Sequence, residues 1–441
     1  MRKASILLSA LASFALSGNI VNNLNIEQIN KINSNSNFSN DVNVSQGTTN
    51  ITDNSNIEDV YILQKDGISA GNLIENTTVN GNSSELHQGL TSINSSSLYH
   101  TELTSKNKVN GITVTGGKSI ITQGNLIIGG DSNVSGTAGS SGGNPWDPPG
   151  ASGENLEIIQ NNILEDTSIS NSNLHQGLTV INNGATVSSS FKLEQNNNMS
   201  SNSINNDTNS TITQGLTSIS GGDTSNIKQK ILNTIQNITV DGVNIEQSSV
   251  KLINSTVSNI NNNNDDTTDD DINEINGLTA TDADIVQSTI RSNSSTIDGL
   301  QKSDRGDVSK NNAILNLTLN NSTAKQSIID AQNGSDVKNV TYNAGDLSSY
   351  AINGIYASIV NGGSNLKQDV TELDNGEFQE TTINRVNTIS QADVSNSDLK
   401  QFNIKVINST LENSNLNQNG LIWQVNATNA LISQGNLIIS D

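Results

Sequence analysis

An all-β fold is what this sequence predicts: a β-solenoid of stacked β-arches, each about 16–19 residues long, held by Asn and Gln ladders. Three observations lead there. The composition cannot build a helical or aromatic-packed core. Gln recurs two positions after an aliphatic residue. These Gln also recur at a near-constant spacing along much of the chain.

The 441 residues are 32% hydrophobic, 3% aromatic and 15% charged. Ordinary soluble domains are about 45–50% apolar, counted with Gly, and about 25% charged. Asn, Ser, Thr and Gly make up the difference, and all four are poor helix formers. Disordered chains are typically rich in Pro, Glu and Lys, whereas this one has three Pro and abundant Ile and Val. Asn-rich chains with spaced β-branched residues favour cross-β order. The net charge of −22 speaks against nucleic-acid binding, which needs Lys and Arg to neutralise phosphates, and keeps copies of the chain apart. There is no Cys, so no disulfide, thiolate chemistry or Cys-ligated metal is expected.

Taken from the N-terminus, residues 1–17 read as a secretory signal. Arg2 and Lys3 precede an apolar run from Ala4 to Leu16, and Ala15-Leu16-Ser17 fits a small-x-small cleavage site. No later stretch approaches 18 apolar residues, so no membrane span is expected. Residues 18–128 form a first repeat module. Residues 129–153 read as a Gly/Ser/Pro linker holding all three prolines (Pro145, Pro148, Pro149) and Trp146, because Pro cannot donate in a β-ladder. Residues 154–441 form a second module, and both modules end on Gln-Gly-Asn-Leu-Ile-Ile.

The repeats are plainest in Leu86-His-Gln-Gly-Leu-Thr-Ser-Ile93, Leu174-His-Gln-Gly-Leu-Thr-Val-Ile181 and Ile212-Thr-Gln-Gly-Leu-Thr-Ser-Ile219. Of 23 Gln, 18 have Ile, Leu or Val two positions before; those three residues are about a quarter of the chain, so chance gives about 6. The separations Gln28–Gln46–Gln64 are 18 and 18, and Gln160–Gln176–Gln195–Gln214 are 16, 19 and 19. An i, i+2 pair points to one face of a strand. One arch cannot bury that face alone, but stacked arches can, with each buried Gln amide bonded to its copy on the next rung. One rung per unit predicts some 23 rungs and a stack of about 110 Å at about 4.8 Å per rung. Residues 288–367 keep the composition but largely lose the Gln.

Other candidate sites carry less. His87 and His175 fill equivalent places in two repeats and read as surface residues. The acidic run Asp265–Asp271 lacks the Gly and Glu spacing of an EF-hand loop and reads as solvated. Arg305-Gly306-Asp307 is a three-residue match that arises easily by chance. No nucleophile–His–acid order and no phosphate loop is present, and catalytic, metal and cofactor sites are expected to be absent.

At Asn209-Ser-Thr-Ile-Thr-Gln214-Gly and Asn396-Ser-Asp-Leu-Lys-Gln401, the repeat resembles the curlin family of secreted bacterial functional amyloids. The family's second Asn-x-Ala-x-x-x-Gln half is mostly missing here, and the repeat is less regular. The Gln that fit are Gln46, Gln88, Gln123, Gln176, Gln214, Gln247, Gln401, Gln418 and Gln434. The resemblance implies a secreted, non-enzymatic subunit that polymerises end to end with itself into extracellular curli-like fibres of a biofilm matrix. It further implies an outer-membrane secretion channel and a nucleator as partners. The alternative is a monomeric β-solenoid adhesin at the cell surface, which needs capped ends; Ile432 to Ile439 ends the chain on a repeat strand instead. A disordered or glycosylated coat protein and a β-helix polysaccharide lyase are more distant alternatives.

Overall fold

A computed structural model describes residues 6–440, apart from 136–155, 264–272, 304–312, 345–352 and shorter stretches of one to four residues between strands. Among the described residues every regular element is a strand, and the strands form two long sheets of 27 and 26 members. Pairing within both sheets is parallel and in register. One short antiparallel pair, Lys65–Asp66 against Ser69–Ala70, stands apart.

A single turn of the chain passes through both sheets. Phe191–Ser200 lies in the second sheet and Ser203–Gln214 and Thr217–Ser220 in the first. Asp223–Ser225 and Ile227–Gln236 then return to the second, and Thr239–Ile253 re-enters the first. The corners sit in the left-handed region, at Ser201 (φ 55°), Gly221 (φ 63°) and Asn237 (φ 51°). This is why Asn, Gly, Ser and Asp punctuate the sequence: they tolerate that conformation best.

The 16–19-residue unit is thus half a coil. Gln195 lies in the second sheet and Gln214 in the first, so alternate units stack, and one full coil takes about twice the unit. The reading of one rung per unit, with 23 rungs over about 110 Å, is corrected accordingly. From Gln46 to Gln434 the first sheet carries eleven coils joined by ten Gln–Gln contacts. Ten steps of about 4.8 Å span about 48 Å.

The core lies between the two sheets and is made of aliphatic columns. Two positions before the ladder Gln from Gln46 to Gln401 stand Leu86, Ile121, Leu174, Ile212, Ile245 and their equivalents, all buried. The second sheet answers with Val109, Leu164, Met199, Ile235 and Ile275, aligned strand upon strand. Such a core needs no aromatic residue, because each column is filled by the same small shape repeating every rung.

The sheets run on past the segment expected to divide the chain. Gly129 ends the strand Leu126–Gly129, and Asn133–Ser135 pairs on both sides within the second sheet. Glu102–Asn110 and Leu156–Glu165 pair over nine residues across the insertion. Pro145, Trp146, Pro148 and Pro149 lie outside the described residues, as do the acidic run Asp265–Asp271 and the tripeptide at Arg305. At the other end, Ile6–Leu11 and Phe14–Ser17, within the segment read as an export signal, pair with Val42–Gln46 and Thr49–Thr52, setting Leu11 against Gln46. No helix among the described residues is long and apolar enough to cross a membrane.

Candidate assembly site: two buried amide ladders

The ladder Gln from Gln46 to Gln247 are held from two directions. Gln214 Nε2 donates to Gln176 Oε1 on the preceding coil at 2.8 Å, and across the core to the backbone carbonyls of Asn197 (3.1 Å) and Thr234 (3.0 Å). Its own Oε1 accepts from Gln247 Nε2 at 2.8 Å. The pattern recurs at Gln123, which donates to Gln88 Oε1 at 3.0 Å and to the Ile163 carbonyl at 3.0 Å. A buried amide that satisfies both ends in this way ties the two sheets together, as it does from Gln46 to Gln247.

Of the Gln expected in the ladder, Gln46, Gln88, Gln123, Gln176, Gln214, Gln247 and Gln401 are buried in it. Gln434, in the last coil, donates to Gln401 Oε1 at 2.8 Å and is otherwise exposed. Gln418 is not in this column: it lies in the second sheet, paired with Arg385. Its Leu416 gives it the same local pattern, but the pattern does not say which sheet receives it. Gln287, Gln326 and Gln368, not expected, carry the ladder unbroken through the region that looked Gln-poor.

That region is stretched, not out of register. Neighbouring ladder Gln lie 40, 39 and 42 residues apart from Gln247 to Gln368, against 33 on either side. The second-sheet strand of each coil is split there, as in Asn261–Asn263 and Asn273–Asn276, with extra residues between the pieces. The second-sheet Gln thin out with the split, leaving Gln301 at the start of Gln301–Ser303, and the half-coil spacing is lost.

A second ladder runs in the second sheet. Asn72 Nδ2 donates to Asn107 Oδ1, Asn107 to Asn162, Asn162 to Asn197 and Asn197 to Asn233, all at 2.8 Å. It explains the Gly after Gln. At Gly124 (φ 57°) a Cβ would stand 2.3 Å from the Asn162 amide, and at Gly89 (φ 61°) 2.4 Å from that of Asn107. The Gln-Gly motif therefore serves both ladders: Gln forms one, and Gly bends the chain and leaves room for the other.

Corner serines form further rows. Ser55 N–H donates to Ser96 Oγ and Ser96 N–H to Ser132 Oγ, and Ser322, Ser364 and Ser397 repeat the device.

On the outer face of the first sheet, His87 Nδ1 meets Thr122 Oγ1 at 2.7 Å and His175 Nδ1 meets Thr213 Oγ1, all four in one column. Both His are half-buried instead of fully exposed, and burial holds the His175 pKa below its usual value. Further along this column Lys325, Lys367 and Lys400 stack in register. Burial, then the like charges of Lys325 and Lys400, hold the Lys367 ammonium below the usual lysine range. Among the described residues no group of three or more His, Asp or Glu is placed to hold a metal ion. No protein-family model and no curated protein matches this chain, so the amide ladders themselves are the ground for any functional reading.

Proposed function

We propose that this chain is an exported, non-enzymatic structural subunit that polymerises through its rung faces into extracellular fibres of a biofilm matrix. One observation carries the reading. Consecutive coils meet through the same side chains in register, Gln on Gln and Asn on Asn, so a coil of a second copy offers what the next coil of the same chain offers. A bare coil face is also adhesive in itself. Ile432 in the last described coil is 40% exposed, whereas Leu399, directly behind it in the column, is 0% exposed. Trp423, Leu431 and Ile438 on that coil are likewise exposed. Parallel strands with open edges template further strands unless something covers them.

The test is to collect the exported chain, confirm its N-terminus by mass, and follow it by electron microscopy and fibre diffraction. Fibres with a reflection near 4.8 Å along the axis are expected. A chain that stays monomeric at high concentration, high salt and low pH overturns the proposal.

A further inference from the structure

The two amide ladders run in opposite directions along the stack. Every Gln–Gln contact has Nε2 of the later coil donating to Oε1 of the earlier one, from Gln88→Gln46 to Gln434→Gln401. Every contact of the buried second-sheet Asn ladder has the earlier coil donating to the later, from Asn72→Asn107 to Asn197→Asn233, whereas the exposed pairs Asn316→Asn276, Asn333→Asn293 and Asn429→Asn396 follow the Gln sense. The corner serines follow the Asn sense, with backbone N–H groups of earlier coils donating to Oγ of later ones. The Gln direction is fixed by the fold, because the same Nε2 groups must also reach carbonyls of the opposite sheet.

The two faces of any coil are therefore chemically different. The face toward lower numbers offers Gln N–H and the face toward higher numbers Gln Oε1; in the coils from Asn72 to Asn233 the first also offers Asn Oδ1 and the second Asn N–H. We propose that copies of this chain join head to tail only, the higher-numbered face of one copy docking on the lower-numbered face of the next. This deepens the fibre reading and rests on it. In that contact the Gln ladder continues, donor to acceptor, across the junction, while the Asn column ends on Gly420 in the last coil. A head-to-head contact opposes Gln N–H to N–H or Oε1 to Oε1 where the Gln columns meet, and in any alignment sets antiparallel strands edge to edge where consecutive coils of the chain pair parallel and in register. The interface is thus heterologous and does not close on itself, which is the symmetry that yields an open filament.

The absence of cysteine allows a direct test. Ser45 and Ser433 each precede a ladder Gln and belong to one column, at its lower and upper ends. Across a head-to-tail junction they would stack about 4.8 Å apart, within the Cα range of about 4.4–6.8 Å that a disulfide spans. Ser45→Cys and Ser433→Cys are made singly and together, exported chains are assembled in a glutathione buffer, and cross-links are read on non-reducing gels. If residues 1–17 remain attached, the lower end of the sheet is Ile6–Leu11, whose Leu11 lies against Gln46, and the lower cysteine is placed in that strand instead.

The double variant should give a ladder of covalent oligomers, and an equimolar mixture of the singles should link about a quarter of junctions by random mixing. Each single variant alone should give no more cross-link than the cysteine-free chain. Cross-linking within one single variant overturns the polarity. Fibres without cross-links in the double variant overturn the register. Failure of every form to assemble overturns the fibre reading, and this inference with it. Circular dichroism of each variant, matched to the parent, keeps misfolding from counting as any of these results.

Discussion

Gln214→Glu changes one atom in the middle of the ladder, and its effect can be worked from the contacts. Gln214 is fully buried, donates to three oxygens and accepts one bond from Gln247. Glu keeps the accepted bond but sets an oxygen against the Gln176, Asn197 and Thr234 oxygens. An ionised carboxylate has nothing to offer them, so the folded state takes up a proton. Holding that proton at pH 7 against a reference pKa of about 4.3 costs about 3.7 kcal/mol, at about 1.36 kcal/mol per unit. The protonated acid recovers one donor, and two lost contacts cost about 1 kcal/mol each.

The total is about 6 kcal/mol at pH 7 and about 2 kcal/mol near pH 4.3, where little work is needed to protonate the carboxyl. The sign follows from a folded pKa raised above the unfolded one: stability is greatest below the unfolded value and falls as pH rises. Because each coil touches only its neighbours, the loss is local. Hydrogen exchange read by mass spectrometry, corrected for intrinsic rates, should show weakened protection in Ser172–Gln176, Ser203–Gln214 and Thr239–Ile253 at pH 7. Protection should largely return at pH 4.5. Wild-type protection at both pH values would mean that this side chain faces water.

Three further outcomes are expected. Gly124→Ala combines left-handed strain of about 1–2 kcal/mol with disruption of the Asn ladder at Asn162, about 1 kcal/mol per lost bond; Gly221→Ala, with the same positive φ but nothing within 4 Å, should lose only the strain, as urea unfolding of the pair will check. The lowered His175 pKa makes the unfolded chain bind more protons below the usual histidine value, so stability is full above about pH 6.5 and falls as pH drops below it. His175→Thr, which copies its neighbours Thr122 and Thr213, should remove that part of the decline in melting temperature between pH 7.5 and 5.5. Assembly should quicken at high salt or near pH 4.3, where the charge of −22 is screened or neutralised, and a lag time indifferent to both would remove self-repulsion as a control.

The stack and its inward Gln were legible because an aliphatic residue and Gln at i, i+2 share a face whatever the surrounding loops do. The size of the coil was not. Leu193-Glu-Gln195 and Ile212-Thr-Gln214 are alike locally, yet they enter different sheets, and only the three-dimensional path says that alternate units stack. Gln418 was misassigned for the same reason. The Asn ladder was hidden by abundance: with about one residue in six Asn, the spaced Asn72, Asn107, Asn162, Asn197 and Asn233 do not stand out. Gln326 was missed because Ala324 replaces the usual aliphatic residue two positions before it, and because insertions in the opposite sheet stretch its spacing.

Ladder neighbours Gln123 and Gln176 are 53 residues apart, yet their amides bond at 3.1 Å, much as do pairs 35 or 38 apart. Closing the longer loop instead of a 35-residue one costs only about 0.4 kcal/mol in chain entropy. Sequence added at such a point is therefore nearly free of thermodynamic penalty and leaves the rows on either side untouched. The stack behaves as a backplane into which peptide cargo can be plugged between strands. Residues 136–155 mark where a foreign epitope or enzyme-cleavable tag could be grafted, and repeated along a filament such a graft would be displayed once per subunit at fixed intervals.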